Sequence, residues 1–122
     1  MTTEEMAVYI GERLLLGKLV DYAECACFDW TDGGHKRSES LDIFTAWLSS
    51  PDGIYTVKQS MFDLGYTYKS FFRGTRDGKQ LWDVCFCHWM YERAERVLES
   101  SGDTEAEAVI GSSYNALKLN YK

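Results

Sequence analysis

The chain has 122 residues, of which 45% are hydrophobic and 15% aromatic, and its formal net charge is −6. This length and apolar content suit one globular domain with its own core, so we expect a single domain over residues 1–122. The negative charge excludes non-specific binding to nucleic acid, because binding to phosphates requires clustered positive charge.

The charge is unevenly distributed along the chain. Between Ile54 and Gln80, five Lys and Arg residues stand against two Asp residues, a net charge of +3 that leaves −9 for the remainder. An acidic surface of this size suits docking onto a basic partner.

Neither end of the chain nor its interior predicts a membrane segment. The opening Met1-Thr-Thr-Glu-Glu is acidic, whereas a secretory signal opens with basic residues. Leu14-Leu15-Leu16 is far shorter than the roughly 18–20 apolar residues that span a bilayer. We therefore expect a cytoplasmic protein with no membrane contact and with reduced cysteines.

Helical spacing of apolar residues dominates the secondary-structure prediction. Thr2 with Glu5, and Thr104 with Glu107, fit capping boxes that begin a first and a last helix. Ser38 and Thr56 are further candidate N-caps, and Gly65 is a candidate helix end. The predicted helices are Thr3–Leu19, Ser38–Ser49, Thr56–Leu64, Tyr68–Thr75, Gln80–Ser100 and Thr104–Leu117. The fold class that follows is mainly α, a compact single-domain helical bundle with room for a short β-hairpin.

A second interpretation of the same segments stays open. Tyr66–Arg73 and Lys79–Trp89 are rich in aromatic and β-branched residues, and the dipeptide Asp77-Gly78 between them is typical of a hairpin turn. The alternative fold is then α+β with a small antiparallel sheet. Asp21–Trp30 is ambiguous in the same way, because its residues fit both a strand and a helix.

The segment Thr56–Arg73 resembles the helix-turn-helix of DNA-binding regulators. The shared features are an apolar residue followed by glycine at the turn and apolar spacing beyond it, whereas Ser60 and Met61 depart from the family pattern. In that family the second helix lies in the major groove of DNA. We expect such a regulator to act as a dimer, which would compensate for the net negative charge of the chain. The resemblance implies that the residues facing or approaching DNA would be Lys58, Thr67, Lys69, Ser70, Arg73, Arg76 and Lys79.

All four cysteines occur in two Cys-x-Cys pairs, Cys25 with Cys27 and Cys85 with Cys87. On neighbouring strands, four such thiolates would converge and could hold zinc. On helices, side chains two positions apart diverge and could not share a metal ion. Structural zinc sites also prefer two to four intervening residues. We therefore predict small buried side chains rather than a metal site.

The sequence offers little for catalysis. It has two histidines, no Gly-x-Ser-x-Gly and no His-Glu-x-x-His. The partial likenesses to a phosphate loop and to a calcium loop each lack required residues. We expect a non-enzymatic protein without a cofactor.

Two hypotheses of function follow. The first is a small acidic antagonist that docks on a nucleic-acid-handling protein complex, of the kind that phages and mobile elements carry; it is like anti-CRISPR proteins in size and charge. Its contact residues would combine carboxylates with aromatic anchors: Glu92, Glu95, Glu99, Trp82 and Trp89. The alternative is a DNA-binding transcriptional regulator that uses Thr56–Arg73. The tail Tyr114–Lys122 is a candidate contact for a homodimer.

Overall fold

The computed structural model describes residues 2–22, 25–88, 100–102 and 104–119. These residues form four helices and two three-stranded antiparallel sheets. The fold is α+β, so the prediction of a mainly α bundle is wrong and the α+β alternative is right.

The elements follow one another in an order that keeps each sheet local in sequence. The first half of the chain forms α1 (Thr3–Leu14), β1 (Lys18–Tyr22), β2 (Cys25–Asp32), β3 (His35–Ser40) and α2 (Leu41–Leu48). The second half forms α3 (Pro51–Asp63), β4 (Tyr66–Arg76), β5 (Lys79–His88), β6 (Ser100–Gly102) and α4 (Glu105–Leu119). The strand orders are β1-β2-β3, here called sheet A, and β4-β5-β6, here called sheet B.

Two tight turns connect the hairpins. Gly33 and Gly34 join β2 to β3 with φ of 56° and 88°, and Asp77 and Gly78 join β4 to β5 with φ of 53° and 78°. Positive φ at both central residues is the type I′ geometry, whose twist matches that of the flanking strands. The hairpin that Asp77-Gly78 indicates in the sequence is thereby confirmed.

The N-cap hydrogen bond of each predicted capping box forms. The Glu5 N–H donates to Thr2 Oγ1 at 3.1 Å, and the Glu107 N–H donates to Thr104 Oγ1 at 3.1 Å. The first helix nevertheless ends at Leu14 rather than Leu19. Leu16 adopts a φ of +53°, a left-handed conformation that no helix continues through.

The start of the second and third helices was misplaced by the sequence prediction. Ser38 lies in β3 and caps nothing, since α2 begins at Leu41. The segment Ser50-Pro51-Asp52-Gly53, which lies between the predicted helices Ser38–Ser49 and Thr56–Leu64, opens α3. Ser50 Oγ accepts from the Gly53 N–H at 3.3 Å, and Pro51 occupies the first helical turn. Proline suits that position because its missing N–H would have no partner there.

The largest error concerns sheet B. Tyr68–Thr75 was predicted as a helix and lies in β4; Gln80–His88, the start of the predicted long helix, lies in β5. Tyr66, Tyr68, Ser70 and Phe72 alternate along β4, whereas Tyr68, Phe71, Phe72 and Thr75 fit helical spacing, so tertiary pairing decides between strand and helix. Residues 89–99 of that predicted helix lie outside the described residues, and its last residue, Ser100, begins β6.

One core joins the helices to both sheets. Its fully buried side chains include Ile10 of α1, Phe28 of β2, Phe44 of α2 and Phe86 of β5. Phe28 stacks on Phe44 with ring centroids 4.1 Å apart, and α4 meets sheet B where the Phe86 N–H donates to Ser112 Oγ at 3.2 Å. None of the helices in the described ranges has the length and hydrophobicity required to cross a membrane.

Candidate functional site

A concavity among the described residues lies along α1. We call it the α1 groove, and its lining comes from α1, β1 and the start of α2: Thr2, Glu4, Glu5, Val8, Tyr9, Glu12, Leu19 and Leu41. Its volume is about 580 Å³, within the range of sites that hold a small ligand or a few side chains.

The groove exists because α1 has two unlike sides. Ala7, Ile10 and Gly11 are buried against the core. A Cβ on Gly11 would lie 2.6 Å from the Phe28 ring, so glycine lets α1 approach sheet A closely. Residues three and four apart share a helix side, and this places Glu5, Val8 and Glu12 together on the outward side.

The floor of the groove is apolar and partly open. Leu19 of β1 is 41% exposed, and Val8, Tyr9 and Leu41 are half-buried. The Tyr9 ring packs edge-on against Tyr114 of α4, with centroids 5.1 Å apart. The floor is thus anchored to the C-terminal helix and offers apolar surface that nothing in the described chain covers completely.

The rim of the groove is acidic. Glu4, Glu5 and Glu12 are exposed, and Asp42 of α2 lies beside Glu4. A hydrogen bond with Asp42 raises the pKa of Glu4, and desolvation and the charge of Asp42 act in the same direction. Two carboxyl groups held this close repel each other when both are ionised, and a bound cation would relieve that repulsion.

The acidic and aromatic set proposed from the sequence is only partly visible. Glu92, Glu95, Glu99 and Trp89 lie outside the described residues. Trp82 is half-buried on β5, where its ring lies 5.0 Å from that of Phe72, which is 52% exposed. The acidic groove instead involves carboxylates that the sequence analysis did not single out.

The helix-turn-helix resemblance does not carry into the structure. Its first segment lies in α3, but its second segment is strand β4 rather than a recognition helix. Thr67 and Lys69 are exposed on one side of β4, and Ser70 lies half-buried on the other. Arg73 and Arg76 belong to the same strand, and their side chains fall outside the description.

Lys58, the remaining candidate for DNA contact, has partners of its own. Its Nζ lies 3.2 Å from Glu105 Oε1 and 4.4 Å from the centre of the Tyr68 ring. The Tyr68 hydroxyl donates to the same Glu105 oxygen at 2.5 Å. These contacts join α3, β4 and α4. They also neutralise the positive charge of Lys58, which contact with a DNA phosphate would require.

The same cluster shifts two pKa values. Burial and the hydrogen bond to Glu105 raise the pKa of Tyr68. The hydrogen bond from Tyr68, together with Lys58, lowers the pKa of Glu105. Because the folded pKa of Glu105 is lowered, the stability it contributes is present above the ordinary carboxyl pKa and is lost as pH falls through the folded value.

Tyr68→Phe is therefore expected to cost about 1 kcal/mol at pH 7, the usual loss for a hydrogen bond to a charged group that is partly exposed. The difference from the parent should shrink as the pH is lowered from 7 to 3, because the stability that ionised Glu105 contributes is lost as the pH falls through its lowered folded pKa. Urea unfolding at the two pH values measures this. Tyr55→Phe is the control, since Tyr55 is exposed and has only a 3.5 Å contact with Gln59. A Tyr68→Phe deficit that is equal at both pH values would contradict the assignment.

The cysteine pairs lie in different sheets, Cys25 and Cys27 on β2 and Cys85 and Cys87 on β5. Cys27 is half-buried and Cys85 is buried, and neither forms a disulfide in the part of the chain that the structure describes. Over the described ranges, no three His, Cys, Asp or Glu side chains are grouped so as to hold a metal ion.

Comparison with protein-family models, with curated proteins and with solved structures gave no match. The chemistry of the α1 groove is therefore the basis for the assignment of function.

The sequence signal for this groove was present but weak. Glu5, Val8 and Glu12 recur at helical spacing, which is also what an ordinary solvated helix side displays. Leu19 and Leu41, which complete the floor, come from elements that only the fold brings to α1.

Proposed function

We propose that this chain is a non-enzymatic binding protein whose α1 groove holds a basic, partly apolar segment of a partner protein. The observation that carries the proposal is an apolar floor bordered by four carboxylates from two helices, Glu4, Glu5, Glu12 and Asp42. The apolar floor supplies affinity, and the negative charge around it selects a partner segment of positive charge.

The net charge of −6 extends this attraction beyond the groove and supports an antagonist role. A protein complex that handles nucleic acid has basic surfaces, and carboxylates docked there would occupy positions that phosphates use. We propose this role, of the type found in phage and mobile-element antagonists such as anti-CRISPR proteins, in the cytoplasm, where the complex and reduced thiols would both occur.

The regulator alternative predicts a different ligand. With β4 in place of a recognition helix and Lys58 paired with Glu105, no observation in the described residues favours DNA recognition. Titration with a random pool of duplex DNA at low salt tests this directly. Sequence-selective retention would overturn the antagonist proposal, and absence of binding at low salt agrees with it.

The groove itself is tested with a probe peptide, Thr-Arg-Thr-Val-Thr-Arg-Thr, blocked at both ends and labelled with fluorescein. We expect it to bind, and we expect the double variant Glu4→Lys, Glu12→Lys to weaken binding about tenfold or more, since each exposed ion pair contributes up to about 1 kcal/mol and reversal adds repulsion. Fluorescence anisotropy at low salt measures the affinity.

The matched control is Asp52→Lys, Asp63→Lys. These two carboxylates are exposed on a single helix, α3, and their reversal changes the net charge of the protein by the same amount. The control should change the affinity about twofold at most. The proposal that the groove is the binding site would be wrong if both double variants lost the same amount of affinity, or if the parent protein did not bind the peptide.

A further inference from the structure

We propose that the bound segment is an extended strand that adds to the free edge of β1, so that sheet A gains a fourth strand beside the α1 groove. The inference rests on the proposed function, since it states the conformation and register of the partner segment in that groove. Strand addition at a sheet edge is a recurring way of binding peptides, in which backbone hydrogen bonds give affinity and alternate side chains give specificity.

Sheet topology provides the edge. β1 pairs with β2 on one side, and no described segment pairs with its other side. The backbone N–H and C=O groups on the outer side of such a strand are available to a partner.

The groove borders the same strand. Leu19 is in register with Phe28 of β2, so both side chains point to the sheet face that α1 covers. Leu19 also lines the groove. A strand laid along β1 would therefore direct every second side chain into the groove and the others to the face of Lys18 and Val20.

The spacing of the rim suits an extended segment. Glu4 and Glu12 are eight helical residues apart, about 12 Å at a rise of 1.5 Å per residue. In an extended chain, residues i and i+4 are about 13 Å apart and point to the same side. A segment with cationic residues at i and i+4 and an apolar residue at i+2 would meet carboxylates at both ends and Val8 with Leu19 between them.

Charge distinguishes a foreign strand from a second copy of this chain. In a twofold pairing of β1 with β1, the axis is perpendicular to the sheet and sets both α1 helices on the same side. Glu4, Glu5 and Glu12 of the two copies would then face each other, and like charges oppose that pairing. The edge is thus selective for a basic strand.

Backbone methylation of the probe peptide tests strand addition. Along a strand, successive side chains point to opposite faces and successive N–H groups point to opposite edges. Only every second N–H group of the peptide can therefore face β1. We expect N-methylation of the alternate residues whose N–H groups face β1 to lower the affinity of the peptide at least tenfold. N-methylation of the residues between them should change the affinity less than about twofold. In parallel, β1 amides that do not bond to β2 should become protected from hydrogen exchange on binding.

The outcomes separate the two proposals. If the unmodified peptide fails to bind, or binds equally well to the Glu4→Lys, Glu12→Lys variant, the proposed function fails. Strand addition is overturned if the peptide binds in the groove and N-methylation is tolerated at each of the two sets of alternate residues, or if N-methylation abolishes binding at each of the two sets. The groove would then bind the side chains of the segment alone, or a helical segment.

Discussion

Replacing Gly53 with alanine is expected to destabilise the protein by about 3 kcal/mol, the upper end of the usual cost of overpacking. A Cβ at this position would lie 2.2 Å from the Trp47 carbonyl oxygen and 2.6 Å from Leu48 Cα. Both atoms belong to the backbone of α2, which cannot move aside as a flexible side chain can. Only separation of α2 from the start of α3 would relieve the contact, and that separation would disturb the core around Leu48 and Val57.

Urea unfolding monitored by tryptophan fluorescence measures this cost. Gly33→Ala is the control, because nothing lies within 4 Å of its added Cβ. Its φ of 56° makes the control cost about 1 kcal/mol by backbone strain alone. If Gly53→Ala costs no more than Gly33→Ala, the described junction of α2 and α3 is wrong.

Truncation of Phe28 to alanine is expected to cost about 3–5 kcal/mol, as for other large buried aromatic residues. Phe28 is 0% exposed and stacks on Phe44. It is also held between two glycines, since a Cβ on Gly11 or on Gly17 would collide with its ring. Few neighbouring side chains can fill the space that it leaves, so most of the cavity would persist.

Phe28→Ala should also weaken binding of the probe peptide, because α1 rests on this ring and carries most of the groove. Phe28→Leu keeps much of the volume and should cost less than about 1.5 kcal/mol. Phe72→Ala, at a half-exposed ring on β4, is the control for loss of an aromatic residue and should leave peptide binding intact. Thermal unfolding and anisotropy give the two readouts; a Phe28→Ala protein as stable as Phe72→Ala would contradict the described core.

The sequence predicted those elements that local chemistry determines. The N-cap hydrogen bonds of α1 and α4 formed as expected, because a threonine hydroxyl at this position can accept from the backbone N–H three residues further on without help from distant residues. Asp77-Gly78 indicated its hairpin, since positive φ at two successive residues suits few other pairs. These features depend on neighbouring residues alone.

The elements that the sequence failed to predict depend on distant partners. Phe72 and Trp82 face each other across β4 and β5, and that pairing favours strands although the spacing within each segment also fits a helix. The sequence did not predict the α1 groove for a related reason. Its acidic residues could be seen on α1, but Leu19 and Leu41 become its floor only through packing.

The contact between Tyr9 and Tyr114 has a consequence for synthesis on the ribosome. The groove is lined mainly by α1, yet its floor residue Tyr9 packs against Tyr114 of α4, an element that is translated after α1. A nascent chain that lacks α4 would present α1 without this support, and its carboxylates would lack a fixed arrangement. Under the function proposed above, the complete binding site therefore forms only once α4 has left the exit tunnel and packed against α1.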